Sequence, residues 1–350
     1  MHIYELDTPS VVIDVDVLEK NINDMADHCK NLGITLRGHT KSHKNPEIAK
    51  MQVAAGSQGI VCQKLGDAEN MARAGLDDIL MTYNIVGNQK VRRLVNLAGF
   101  RRMTVTVDSL AVAAGISEQA ATEGVTIGVL VEFDSGGNRT GVQSPAAAEE
   151  LGKQIQQLPG LKLRGLMTYP SQISSKRLVD ETIDRFKKAN LPLDIISGGG
   201  TGEEWESKEL GFTEHRSGSY VYEGLSRIKG AGDGSDLSPE RCPLRVVTTI
   251  VSVPTSDRLI VDAGMKTFRL FPSMPYGLIL DDPELKFSGM SVEHGHIDST
   301  GTNRKFSVGD KLTVIPTYQE GVTNLHDEIV WIRNDQVEHV WRNEGRGKVK

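Results

Sequence analysis

The feature that most constrains the fold is a regular alternation of short β-rich runs with amphipathic helical segments over the first two-thirds of the chain. Val, Ile and Thr dominate the runs, and several runs are apolar throughout, as strands buried on both faces are. The unit repeats about every 25 residues, which is typical of a parallel sheet with right-handed helical crossovers. The nine β-rich runs are residues 10–16, 35–41, 59–65, 78–85, 103–109, 126–134, 161–169, 191–200 and 215–221.

Nine runs are one more than an eight-stranded (β/α)8 barrel needs. We therefore assign the first run, residues 10–16, to a second domain and the other eight to a TIM-type barrel of the α/β class. An open, doubly wound parallel sheet is the alternative arrangement of the same elements.

The pattern changes after a turn-rich stretch at residues 230–240, which we interpret as a linker. Beyond it, segments with alternating apolar and polar residues are typical of half-buried antiparallel strands, and they lie at 245–254, 258–264, 306–316 and 328–341. We predict three parts: residues 1–20, which contain a strand that joins the C-terminal β domain and the first helix, a barrel at 21–229, and an antiparallel β domain at 236–350.

Composition excludes several classes of function. The formal net charge of −6 argues against nucleic-acid binding. No apolar run is long enough to span a membrane, and the first ten residues do not resemble a signal peptide. Cys29, Cys62 and Cys242 are far apart and form no C-x-x-C motif, which favours the reducing cytoplasm.

Polar residues cluster at the predicted C-terminal strand ends, where barrels carry their active sites. At the end of the first barrel strand, alternation would place His39, Lys41 and His43 on one face. Partial desolvation and neighbouring cations would favour the free lysine amine that a Schiff base requires. The alternative interpretation is a solvated basic turn.

The seventh barrel strand runs into Ser197, Gly198, Gly199, Gly200 and Thr201. Glycines allow backbone N–H groups to approach an anion, and barrels commonly bind phosphate in the loops after strands 7 and 8. The loop is not a Walker motif, because no Gly-Lys-Ser/Thr follows. A flexible glycine-rich turn is the alternative.

Further candidates lie at other strand ends. Arg139 follows the fifth strand in a glycine-rich segment and could contact a phenolate or carboxylate. Tyr169 closes the sixth strand, Gln63 the second and Tyr220 the eighth, and each is weak evidence alone. A lysine, a phosphate cradle and an arginine together form the minimal equipment for a phosphorylated carbonyl cofactor.

These motifs resemble the D-threonine aldolase and D-serine dehydratase family, within the alanine-racemase-like fold type III of pyridoxal 5'-phosphate (PLP) enzymes. The likeness spans nearly the whole chain and includes LDTPSVVIDVDVLEKNI, LRGHTKSHK, EFDSGGNRTGV, GLMTY, SGGGT, GSYV, VDAGMKTF, EHGH and GDKLTVIP. Gly38 stands where the family usually has proline. The resemblance implies that Lys41 is the Schiff-base lysine and that Arg139 lies beside the cofactor's 3-oxygen. It also implies that Tyr169, the loop at 197–201 and the strand ending at Tyr220 form the rest of the cofactor site.

One departure concerns the metal. Family members usually carry P-x-H-x-C or P-x-H-x-D, in which the His and the Cys or Asp hold a divalent ion that binds the substrate's β-hydroxyl. Here Tyr318 falls on the His position and Glu320 on the Cys/Asp position. A tyrosine is a poor ligand near neutral pH, because its phenol must first ionise. Glu320 could still hold Mg²⁺ or Mn²⁺, whereas a soft zinc site is disfavoured.

The resemblance implies a PLP-dependent lyase acting on a D-configured β-hydroxy amino acid, by retro-aldol cleavage or by dehydration. Tyr318 or Glu320 would act on the β-hydroxyl in place of a metal-bound group. The alternative is an amino-acid racemase or epimerase that uses Lys41 and Tyr318 as opposed bases. A non-catalytic PLP-binding protein is disfavoured by the β domain. The family also implies a homodimer.

Overall fold

A computed structural model describes residues 1–225, 238–269 and 275–350. The chain divides into two compact units, which interleave along the sequence. The first unit comprises residues 1–22, 42–44 and 219–347, and the second comprises 23–41, 45–218 and 348–350. Most of the predicted linker, residues 230–237, lies outside the described residues, as does residue 229, where the predicted barrel ends. The predicted domain limits therefore stay predictions.

The described residues form eighteen strands and nine α-helices. The strands are β1 (Ser10–Asp14), β2 (Thr35–Leu36), β3 (Gly38–His39), β4 (Ile60–Cys62), β5 (Asp78–Met81), β6 (Arg102–Val107), β7 (Ile127–Phe133), β8 (Leu161–Thr168), β9 (Ile195–Gly198), β10 (Glu214–His215), β11 (Leu244–Thr255), β12 (Arg258–Val261), β13 (Gly277–Ile279), β14 (Lys286–Met290), β15 (Gly295–Asp298), β16 (Lys311–Pro316), β17 (Glu328–Arg333) and β18 (Gln336–Arg342). The helices are α1 (Val15–Leu32), α2 (Pro46–Ala54), α3 (Leu65–Arg73), α4 (Asn88–Ala98), α5 (Leu110–Thr122), α6 (Pro145–Gln156), α7 (Lys176–Lys188), α8 (Glu204–Glu209) and α9 (Gln319–Thr323).

The second unit is built on nine parallel strands, β2 to β10, in a nearly closed barrel. β2 pairs with β10 and β3 pairs with β4, so these two short strands are one barrel strand broken at Arg37. The remaining strands pair in chain order, each with the next. The predicted (β/α)8 barrel is confirmed, and the open doubly wound alternative is wrong.

Apolar side chains stabilise the barrel unit in two groups. A large cluster is formed by the outward faces of the strands and the inner faces of the helices, including Val179, Ile183 and Phe186 of α7. A smaller cluster of five side chains, from five different strands, consists of Val61, Leu80, Leu130, Met167 and Ile195. Full burial of each such side chain contributes about 1.5–3 kcal/mol.

The break in the first barrel strand coincides with a buried ionic network. The Arg37 side chain donates from Nε to Glu214 Oε2 and from Nη1 to Asp78 Oδ1, both at 2.6 Å, and the residue is only 1% exposed. The Ser197 hydroxyl donates to the other Glu214 oxygen at 2.6 Å. Asp78 and Glu214 begin their strands, so the network lies toward the N-terminal ends of β5 and β10.

The first unit holds a nine-stranded, largely antiparallel sheet in which β1 has a central position. β1 pairs antiparallel with β11 and parallel with β17. Its residues Val11, Val12 and Ile13 are fully buried or nearly so. The prediction that the first β-rich run joins the C-terminal β domain is confirmed.

Two predicted barrel strands end earlier than their sequence suggests. The run at 35–41 stops at His39, and Thr40–Ser42 form a 3₁₀ turn. The run at 215–221 is a strand only at Glu214–His215, and Ser219–Val221 form another 3₁₀ turn. No α-helix among the described residues is long and apolar enough to cross a membrane.

Candidate active site

The predicted cofactor lysine lies at the C-terminal end of β3, beside a chain of hydrogen bonds. The Lys41 backbone N–H donates to His39 Nδ1 at 3.3 Å, and His39 Nε2 lies 3.2 Å from Gln63 Oε1. Because Nδ1 accepts, the ring proton is on Nε2, which donates to Gln63. Gln63 Nε2 in turn donates to the Thr82 carbonyl at 3.0 Å. His39 therefore fixes the backbone of Lys41 to the ends of β4 and β5.

The position of Lys41 differs from the expected strand alternation. Because the strand ends at His39, residues 39, 41 and 43 are not three successive inward positions of one strand. The Lys41 side chain is exposed rather than desolvated, and His43 is buried in the first unit. Thr82 was not singled out from the sequence, since a threonine after a strand is an ordinary residue there.

Arg139 and Tyr169 lie together after β7 and β8. The Arg139 guanidinium carbon is 5.2 Å from the centre of the Tyr169 ring, a cation–π contact that holds the arginine over the ring. A Cβ built on Gly200 would lie 3.3 Å from Tyr169 Cε2. Tyr169 therefore lies between Arg139 and the glycine-rich loop at residues 197–201, which brings these predicted site elements close together.

A cavity of about 640 Å³ opens at the ends of β4, β5 and β7. Its lining includes Gln63, Thr82, Glu132, Arg139 and Thr140. The volume suits a small-molecule ligand. Glu132 is buried and accepts hydrogen bonds from Thr140 and Thr106, and burial raises the pKa of its carboxyl. Glu132 stands in the EFDSGGNRTGV motif, but nothing in the sequence distinguished it from the residues around it.

The glycine-rich loop is shaped by contacts within the barrel unit. A Cβ on Gly198 would lie 2.1 Å from the Phe212 ring, and one on Gly199 would lie 2.1 Å from His215 Nδ1. Gly199 also has a positive φ of 87°, and its N–H donates to Ser171 Oγ at 2.6 Å. Thr201 follows in a turn and is half-buried. The glycines thus allow close packing of the loop against β10.

Replacing Gly199 with alanine is expected to lower the free energy of unfolding by roughly 2–5 kcal/mol, from backbone strain and overpacking together. Urea denaturation measures the change. Gly202→Ala is the matched control, because Gly202 has a similar φ of 93° but nothing within 4 Å of its Cβ position. The control should lose only the strain cost, about 1–2 kcal/mol. Equal losses in the two variants would contradict the packing account.

Unpartnered buried donors beside this loop fit an anionic group. Arg216 Nε and Ser217 Oγ are buried and have no hydrogen-bond partner among the described residues. Arg216 is otherwise anchored, since one guanidinium nitrogen donates to the Thr168 carbonyl at 2.7 Å. Buried donors without partners are costly unless a ligand or water satisfies them. The phosphate of PLP suits such a set.

Two predicted cofactor residues are more buried than expected for side chains that contact a ligand. The Ser197 hydroxyl is fully buried and donates to Glu214, so it stabilises the ionic network at Arg37. Tyr220 belongs to the first unit and is 1% exposed, within the 3₁₀ turn after β10.

Tyr318 and Glu320 form a pair in the first unit, at the start of α9. Tyr318 donates from its hydroxyl to Glu320 Oε2 at 3.1 Å. Ser42 and Ser219 donate to Glu320 Oε1 at 2.7 and 2.8 Å. Burial, reinforced by Glu320, raises the pKa of Tyr318 to about 12, so its phenol is neutral and acts as a donor.

Tyr318 and Glu320 do not form a suitable binding site for a divalent metal. Both Glu320 oxygens already accept hydrogen bonds, and the neutral Tyr318 hydroxyl presents a proton to the carboxylate. Nearby in sequence, His326 Nε2 contacts the Thr267 carbonyl at 3.1 Å and Asp327 pairs with Arg346 at 2.8 Å. Within the described parts of the chain, no group of three or more His, Cys, Asp or Glu side chains is arranged to hold a metal ion.

Comparison with known proteins places the chain in a family. Residues 13–226 match the family described as alanine racemase, N-terminal domain, and residues 243–332 match a putative serine dehydratase domain. The D-threonine aldolase of an Arthrobacter species is 32% identical over 357 residues, which cover 98% of this chain and 93% of the relative. The chain belongs to the D-threonine aldolase and D-serine dehydratase family.

The family likeness extends over both units. The 3-hydroxy-D-aspartate aldolase of Paracoccus denitrificans (strain Pd 1222) is also 32% identical, over 98% of this chain and 93% of the relative. The crystal structure of D-threonine aldolase from Filomicrobium marinum matches with a TM-score of 0.92 at 30% identity, covering 99% of this chain and 98% of the other. The predicted family and fold class are confirmed, and the chain is a PLP-dependent enzyme of the lyase type.

Proposed function

We propose that this enzyme cleaves the Cα–Cβ bond of a D-configured β-hydroxy amino acid, releasing glycine and an aldehyde. The choice of aldol cleavage over dehydration or racemisation rests on one observation. Three relatives with 32% identity, each aligned over 98% of this chain, are all named as aldolases, one for D-threonine and two for 3-hydroxy-D-aspartate. The feature that these two substrates share is a β-hydroxyl on a D-amino acid.

The cofactor is proposed to occupy the C-terminal end of the barrel. Lys41 would hold it covalently, with His39 and Gln63 fixing the lysine backbone. Arg139, steadied by Tyr169, would contact its phenolate oxygen. Gly198–Thr201 and the unpartnered Ser217 hydroxyl would hold its phosphate.

Each residue then has a defined task. Pyridoxal phosphate, when bound, supplies the electron sink for the pair left at Cα. The Lys41 amine would hold the cofactor and would carry the proton that Cα gains once the Cα–Cβ bond has broken. Tyr318 and Glu320 are proposed to act on the β-hydroxyl. Ser197 and Tyr220 are both buried, and Ser197 is proposed to stabilise this end of the barrel through its hydrogen bond to Glu214.

The PLP-loaded protein is expected to convert D-threonine or 3-hydroxy-D-aspartate to glycine plus an aldehyde, with a preference over the L-isomers on the order of 10²-fold or more. Amino-acid analysis and aldehyde trapping measure both products. Ammonia and a keto acid would instead identify a dehydratase, and an enantiomer without glycine would identify a racemase; either result overturns the aldolase proposal. Protein stripped of PLP is the control.

Two broader predictions accompany this function. The family relationship leads us to propose a homodimer, which light scattering of the holoenzyme tests. We propose a cytoplasmic location, which is supported by the three cysteines, because all are buried and none is joined to another by a disulfide.

A further inference from the structure

The Glu320 carboxylate is held on both oxygens by hydroxyl groups. Ser42 and Ser219 donate to Oε1, and Tyr318 donates to Oε2. The group borders a small cavity of about 110 Å³, whose lining also includes Tyr222 and Gln319. Hydroxyl donors to a carboxylate form charge-assisted hydrogen bonds, which are stronger than neutral ones. The carboxylate is therefore fixed in one orientation with one oxygen aimed at the phenol.

Chain connectivity links this carboxylate to the proposed reaction. Ser42 directly follows Lys41, so the residue next to the cofactor lysine is hydrogen-bonded to Glu320. Ser219 follows the Ser217-Gly218 segment, which carries one of the unpartnered buried donors. One serine next to the proposed cofactor lysine and one two residues after Ser217 thus hold the same carboxylate oxygen.

We infer that this enzyme removes the substrate's β-hydroxyl proton without a divalent metal, through a relay from Tyr318 to Glu320 that Ser42 and Ser219 hold in place. This inference rests on the proposed aldolase function. As the Cα–Cβ bond breaks, its electron pair remains with the Cα fragment and the Cβ–O bond becomes a carbonyl. The β-hydroxyl proton moves to the Tyr318 oxygen, and the proton that Tyr318 carried moves to Glu320 Oε2. Charge and atoms balance without any added reagent.

The four residues have separate roles. Tyr318 is a catalytic residue, because the substrate hydroxyl would donate to its oxygen. Glu320 completes the relay as the proton's final acceptor. Ser42 and Ser219 are positioning residues, since they act only by orienting the carboxylate. A neutral phenol already hydrogen-bonded to its acceptor is the arrangement that such a relay requires.

Experiments on the holoenzyme test whether cleavage requires a divalent metal. We expect purified protein to contain substoichiometric Mn, Mg and Zn by mass spectrometry, and calorimetric titration with Mn²⁺ to show no specific binding. Retro-aldol rates should not change after EDTA treatment. Rates abolished by EDTA and restored by Mn²⁺ would overturn the inference while leaving the aldolase function intact. Failure of every D-β-hydroxy substrate to give glycine and aldehyde would instead refute the proposed function.

The relay is tested by substitution. Tyr318→Phe and Glu320→Gln should each lower kcat for cleavage on the order of 10²–10⁴-fold, as expected for loss of a general base. Exchange of the glycine α-proton with D₂O, followed by NMR, does not involve a β-hydroxyl and should persist in both variants. Loss of exchange in parallel with cleavage would show a structural role and contradict the relay.

The positioning serines provide a graded test. Ser42→Ala and Ser219→Ala should lower kcat with little change in KM, and Ser→Thr at either position should restore part of the rate by restoring the hydroxyl. Ser117→Ala is the matched control, because its buried hydroxyl donates to the Pro159 carbonyl in the barrel unit. Unchanged kcat in the double alanine variant would overturn the role of the serines.

Discussion

Lys41→Ala should lack the borohydride-reducible link to PLP that the wild-type protein forms, and its lyase rate should fall on the order of 10²–10⁴-fold or more. The physical reason is that the proposed covalent anchor and the group proposed to deliver a proton to Cα are the same amine. Visible absorbance before and after borohydride measures the link. Peptide mapping of the reduced wild-type protein should locate the cofactor on Lys41.

Lys44→Arg is the control for this assignment. Lys44 belongs to the same HTKSHK segment, but its ammonium donates to Asn324 Oδ1 at 2.9 Å in the first unit. The Lys44→Arg protein should keep the reducible link and its rate. A reducible link that survives in Lys41→Ala would refute Lys41 as the attachment site.

Arg37→Met is expected to lower the free energy of unfolding by about 3–5 kcal/mol, because it leaves two carboxylates in the barrel without their cation. Methionine roughly preserves the volume of the side chain, so the loss reports mainly on charge. Arg37 is buried, and both of its ionic contacts, to Glu214 and Asp78, are 2.6 Å long. Chemical denaturation followed by circular dichroism measures the change.

Arg342→Met is the matched control, since its ion pair with Glu344 is exposed and lies outside the network. The Arg342 side chain is 84% exposed and its Nε lies 3.7 Å from Glu344 Oε1. Such pairs contribute about 0–1 kcal/mol. If Arg37→Met cost no more than this control, the buried network would not be a significant source of stability.

The barrel and its cofactor site were predictable because their signals are local. Buried parallel strands are continuous apolar runs, and their polar ends mark the active-site face. The lysine after β3 and the glycines after β9 follow this rule. Four further predicted residues lie at or after strand ends: His39, Gln63, Arg139 and Tyr169. In the structure they form two contacting pairs, His39 with Gln63 and Arg139 with Tyr169.

The Arg37 network was not predictable because its members are distant in sequence. Asp78, Ser197 and Glu214 come from three strands, and they meet Arg37, at the break between β2 and β3, only through the closure of the barrel. An arginine beside a glycine and a histidine has the local signature of a solvated turn. Likewise, nothing in a single serine predicts that Ser42 or Ser219 binds Glu320.

The residues at which strands end also could not be predicted from the sequence. The run TLRGHTK has strand composition through Lys41, yet the backbone turns after His39. The Thr40 hydroxyl donates to Asp67 Oδ2 at 2.6 Å, and its oxygen lies 3.0 Å from the Val61 carbonyl; these contacts fix the turn. These tertiary hydrogen bonds override local propensity.

The central position of β1 has a consequence for synthesis of the protein. Its neighbours β11 and β17 begin about 230 and 315 residues after it ends. At roughly 5–20 residues per second, a ribosome needs on the order of 10–60 s to supply the first and then the second neighbour. Until β11 emerges, the barrel strands leave the ribosome while Val11, Val12 and Ile13 have no sheet in which to be buried. The first strand of the nascent chain therefore remains unpaired while all the barrel strands are synthesised, and a chaperone could protect its apolar side chains during that time.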